Sequence, residues 1–69
     1  MTINELYELI KEKRDDAKKM VDALNEKIET TYIYDTQLWC EKNRSEVKIE
    51  IRTYNIVLKM IEESGVLDE

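Results

Sequence analysis

The sequence predicts an all-α fold, an antiparallel two-helix hairpin, and three observations carry that prediction. The chain of 69 residues has no proline, and its one glycine is Gly65, so 64 residues run without either strong helix breaker. Thr2 and Glu5 form a Thr-x-x-Glu capping box ahead of an apolar-periodic run. Two long stretches then space apolar residues by three and four, which lines one face of a helix.

The first helix is predicted over residues 3–30. Ile3, Tyr7, Ile10, Ala17, Val21, Leu24 and Ile28 form its apolar stripe, and Leu6 and Met20 widen it. The stripe is interrupted at Lys13 and Arg14, whose methylenes can lie along apolar surface while the charge reaches water. The other faces are charged: Asp15 to Lys19 is a favourable i,i+4 pair, and Glu12 to Asp16 a like-charge pair that offsets it.

The middle of the chain is ambiguous. Thr30-Thr31-Tyr32-Ile33-Tyr34 is rich in β-branched and aromatic residues, and Val47 to Thr53 alternates apolar and polar as a strand does. An α+β alternative therefore stands beside the hairpin, with a β-hairpin between two helices and a turn near Lys42-Asn43-Arg44-Ser45. That turn lacks the glycine a tight hairpin needs, and two strands alone are marginally stable. On the helical reading the chain breaks at Tyr32–Asp35, with Asp35 capping a second helix over residues 36–64. Asn43 with Glu46 is a later, alternative start.

In the second helix Val47, Ile51, Tyr54, Leu58 and Ile61 alternate by four and three in a heptad seam, thickened by Val57 and Met60. Ile49 and Ile56 fall outside it and form a second apolar line. A tail, residues 65–69, opens with Gly65 as the left-handed residue past the helix end. That placement makes the Ile61 carbonyl a Schellman acceptor and brings Val66 against Ile61.

Composition limits the function. A single domain of this size has a thin core and is usually reinforced by disulfides, a metal or self-association. Cys40 is the only cysteine and there is no histidine, which argues against an internal disulfide and a zinc site and leaves self-association. Ile49 and Ile56 are the predicted self-association residues, in a homodimeric four-helix bundle. Eleven basic residues stand against sixteen acidic ones, a net charge of −5 that argues against generic nucleic-acid binding. No segment is apolar enough to span a membrane and the first residues lack a signal-peptide pattern, so a cytoplasmic protein is expected. Without histidine, and with carboxylates on solvated faces, no enzyme, catalytic residue, metal or cofactor is predicted.

Three groups of residues are candidates for recognition. Tyr32, Tyr34, Leu38 and Trp39 form the one aromatic-rich cluster, fit either for covering the end of a bundle or for anchoring a partner. Lys11, Arg14, Lys18 and Lys19 share a side of the first helix and could meet phosphates, although Asp15 and Asp16 interrupt them. Cys40 beside Trp39 reads as a small hydrophobe in preference to a reactive thiol, since no histidine or basic cluster lowers its pKa.

Lys48-Ile49-Glu50, Tyr54, Val57-Leu58 and Ile61, after a capped charged helix and an aromatic middle, resemble small helical-hairpin proteins from phages and prophages of low-GC Gram-positive bacteria. Such proteins mostly have no assigned activity. Where roles are known for small phage proteins, they bind and inhibit host machinery, including defence systems, or regulate transcription. The resemblance implies a helical protein, encoded by a phage or mobile element, that binds and modulates a host protein. The alternatives are an acidic decoy occupying a nucleic-acid-binding site, and a nucleic-acid binder using Lys11, Arg14 and Lys18.

Overall fold

A computed structural model describes residues 1–67 and consists of two helices, α1 (Ile3–Thr30) and α2 (Tyr34–Ser64). Asp68 and Glu69, the last residues of the expected tail, lie outside the described residues. The helices pack side by side as a rod measuring 49 × 16 × 14 Å. No strand occurs among the described residues, so the β-hairpin alternative is excluded.

Local chemistry sets the helix ends. Thr2 caps α1, its hydroxyl accepting from the Glu5 N–H at 3.1 Å. At the far end the β-forming segment does not pair. Thr31 and Ile33 are extended, and with Tyr32 they make a link of three residues in which branched and aromatic side chains cost little. The second helix begins at Tyr34, two residues before the expected start, with Ile33 at the N-cap position and no side-chain cap. Asp35 is therefore not the cap but a first-turn residue, where its charge meets the positive end of the helix dipole. It is not needed as a cap because Thr31 and Gln37 close the turn. The Thr31 hydroxyl accepts from the Ile33 N–H at 3.4 Å, and the Gln37 amide donates to the Thr31 carbonyl at 2.8 Å. Asn43 is not a helix start either; it sits inside α2 and donates to the Trp39 carbonyl at 2.7 Å.

At the C-terminal end Gly65 is left-handed, with φ 71° and ψ 18°. Its N–H donates to the Glu62 carbonyl at 3.4 Å, while the Ile61 carbonyl accepts from the Ser64 hydroxyl at 2.7 Å. The expected acceptor is thus occupied by a side chain, and Val66 stays half exposed. A β-carbon at Gly65 would meet nothing within 4 Å, so substitution there costs backbone strain alone. Gly65→Val is expected to lower stability by about 1–2 kcal/mol in urea denaturation. An unchanged midpoint would show that the left-handed cap contributes nothing.

Between these ends run two lines in strict three-four alternation. They are Tyr7, Ile10, Arg14, Ala17, Val21, Leu24 and Ile28 in α1, continued by Thr31 just past its end, and Gln37, Cys40, Arg44, Val47, Ile51, Tyr54, Leu58 and Ile61 in α2. Every one of these residues is buried or half-buried, with Ala17, Leu24, Cys40, Val47 and Leu58 deepest. Such lines on antiparallel helices form a coiled-coil seam. Two polar bridges fix its register: Tyr7 Oη donates to Glu62 Oε1, and Arg44 Nη1 donates to Asn25 Oδ1 at 2.8 Å. From Tyr7 to Asn25 is eighteen residues forward and from Glu62 to Arg44 eighteen back, about five turns in each helix, so the helices stay in step.

The basic interruption of the stripe resolves at Arg14, which holds a seam position with its side chain 24% exposed and its guanidinium on Asp15 at 3.1 Å. Lys13 turns outward. The stripe is narrower than its periodicity implied. Leu6, Met20 and Met60 are exposed, because one partner helix covers little beyond the seam itself.

Tyr7 has a measurable signature. Its bond to Glu62 needs a protonated phenol, and that bond, with the nearby Glu62 and Glu8 charges, raises the Tyr7 pKa above the usual value of about 10. The bond is complete at neutral pH and lost as pH rises through the raised pKa. In an ultraviolet phenolate titration Tyr7 is expected to ionise above the ordinary tyrosine range, and Tyr7→Phe to remove that late phase. A late phase that survives in Tyr7→Phe would rule out the assignment.

Candidate interaction site at the hairpin tip

The link and the first turns of α2 gather apolar side chains that the seam does not use. Gln37 and Cys40 take the seam positions of this turn, which rotates Leu38 and Trp39 between them outward. Tyr32 and Ile33 lie in the extended link and Tyr34 opens α2. Tyr32 is fully exposed, Tyr34 70%, Ile33 64%, Trp39 59% and Leu38 46%. The four residues expected from sequence thus share one end of the rod. Ile33 joins them unanticipated, its exposure following from the link being only three residues long.

The other candidates are placed differently. Ile49 and Ile56 are 63% and 54% exposed, in the heptad lane of α2 opposite the seam. Cys40 is fully buried, which agrees with its reading as a small hydrophobe. The basic side of α1 is partly occupied: Lys11 pairs with Glu8 at 3.6 Å and lies over the Tyr7 ring, and Arg14 is held by Asp15. Lys18 and Lys19 remain exposed. The heptad register also brings Lys48 and Arg52 of α2 to the side of Lys18, a cross-helix neighbourhood that no single-helix reading could reveal.

Two shallow concave features lie on α1. One is lined by Met1, Asn4, Glu5, Glu8, Leu9 and Glu12, the other by Glu8, Lys11, Glu12, Asp15, Asp16 and Lys19. A depression on a single helix face does not enclose a small molecule. Among the described residues no group of three or more His, Cys, Asp or Glu side chains is arranged to hold a metal ion, and no helix is long and apolar enough to cross a membrane. The chain matches no protein-family model, no curated protein and no solved structure.

Proposed function

We propose that this chain is a small, non-enzymatic interaction protein that binds a protein partner through its hairpin tip. The observation that carries this is the exposure of Tyr32, Ile33, Tyr34, Leu38 and Trp39 together at one end of a helical rod. Large aromatic side chains on a pre-formed scaffold lose little entropy on docking, and Trp and Tyr dominate the residues whose removal abolishes binding. The resemblance to phage and prophage proteins makes the partner a cytoplasmic host protein that the chain inhibits or modulates. Apolar surface left outside the seam, including Ile49 and Ile56, supports the second part of the reading, self-association of two hairpins into a four-helix bundle.

The test compares wild-type chain with Tyr32→Ala/Trp39→Ala as immobilised bait in a host extract. Both side chains lie outside the seam, so the variant is expected to keep the wild-type circular dichroism and melting within about 0.5 kcal/mol. A partner retained by the wild type should bind the variant at least ~30-fold more weakly, the effect of losing about 2 kcal/mol of anchor contacts. Equal retention by both chains would exclude the tip.

A further inference from the structure

The flank of α1 beside the seam carries another line in the same three-four spacing: Leu6, Leu9, Lys13, Asp16, Met20 and Ala23. All six residues are exposed. Lys13 and Asp16 take part in none of the ion pairs found among the described residues, which join Lys11 to Glu8, Arg14 to Asp15 and Lys59 to Glu63. The line therefore combines apolar surface without a partner helix and two charges without a counter-ion.

Laid antiparallel on a copy of itself, the line is its own complement. When Lys13 of one copy stands level with Asp16 of another, Leu9 comes level with Met20 and Leu6 with Ala23. Each pair then occurs twice, about a two-fold axis between residues 14 and 15, as a closed dimer requires. The same layer rule governs the seam within the chain, where Tyr7 stands level with Ile61 and Ile10 with Leu58. A parallel arrangement instead sets Lys13 on Lys13 and Asp16 on Asp16, which like-charge repulsion disfavours.

We propose that two copies of this chain associate antiparallel through the α1 flank from Leu6 to Ala23, with reciprocal Lys13–Asp16 ion pairs at the centre and Leu9–Met20 contacts on either side. The proposal rests on the self-association advanced above and moves its centre from the back of α2 to the flank of α1. Ile49 and Ile56 lie opposite the seam, so a contact through them leaves the α1 flank bare, whereas a flank that borders the seam extends it into a second layer. The seam closes along α1 because Glu46 and Glu50, on the corresponding flank of α2, meet no cation across this axis. The two aromatic tips then point to opposite ends of the dimer.

Charge exchange tests this by sedimentation equilibrium at matched ionic strength. The chains compared are wild type, Lys13→Glu, Asp16→Lys, the double exchange, and Ile49→Glu/Ile56→Glu. Each single reversal creates two like-charge contacts and is expected to weaken the dimer at least ~10-fold. The double exchange rebuilds both pairs and should return the dissociation constant close to wild type. Circular dichroism should match throughout the exchange series, since both side chains are exposed and unpaired within the chain. Single reversals without effect, or a double exchange no tighter than the singles, would overturn the register. A dimer dissociated only by Ile49→Glu/Ile56→Glu overturns it too and leaves self-association standing. A wild-type monomer at every concentration overturns both.

Discussion

Replacing Leu58 by alanine is expected to cost about 2–5 kcal/mol, the range for removing a fully buried leucine and leaving its cavity. Leu58 is 3% exposed and stands level with Ile10, one layer in from the open end of the seam. A core of this size rarely supplies more than about 3–5 kcal/mol in all, so the variant should be largely unfolded at 25 °C. Met60→Ala, two residues on and 64% exposed, is expected to shift stability by no more than about 0.5 kcal/mol. Urea denaturation followed by circular dichroism, at one protein concentration, separates the two. Equal midpoints would mean that the seam does not pass through Leu58 and that the helix register is wrong.

The second large effect concerns Cys40. Its side chain has no exposed surface and lies two seam positions from the link, level with Ile28. A thiol in that setting reacts only when the hairpin opens. With a stability of about 3–4 kcal/mol, labelling by an aromatic disulfide reagent should be roughly 10²–10³ times slower in the folded chain than in urea. The rate should rise in Leu58→Ala by the factor that its loss of stability predicts. Labelling of the native protein at the free-thiol rate would show that the helices are not packed near the link, and that the tip is not the rigid platform its proposed role requires.

Sequence revealed the elements well and their edges less well, for identifiable reasons. Thr2, Gly65 and the seam of α2 were legible because capping and periodicity are local properties of the chain. The basic gap in the stripe was legible, since a long cation can hold such a position and still reach water, but which of Lys13 and Arg14 fills it was not. The start of α2 was misplaced because Asp35 has the chemistry of a cap, whereas the turn is closed by Thr31 and Gln37, six residues apart. Leu6, Met20 and Met60 looked like core because periodicity shows where an apolar stripe is centred and not how much of it one neighbouring helix covers. The Asn25–Arg44 bridge was beyond reach, since it depends on a register set by a link whose length was unknown. At the candidate site the cluster of aromatics was visible but its exposure was not. That exposure depends on Gln37 and Cys40 winning the seam positions over Leu38 and Trp39.

The three-residue link also dictates the order in which the hairpin assembles. Its cross-helix bonds bridge six residues at Thr31–Gln37, nineteen at Asn25–Arg44 and fifty-five at Tyr7–Glu62. Closing the largest of these loops first costs about 2 kcal/mol more chain entropy than closing the smallest. The helices therefore zip from the link outward, on the microsecond scale open to folds built from local contacts, and unzip from the free ends back. The aromatic end is the first part of the molecule to exist and the last to be lost. A protein that gripped it would hold the part of the hairpin that closes at the smallest entropic cost.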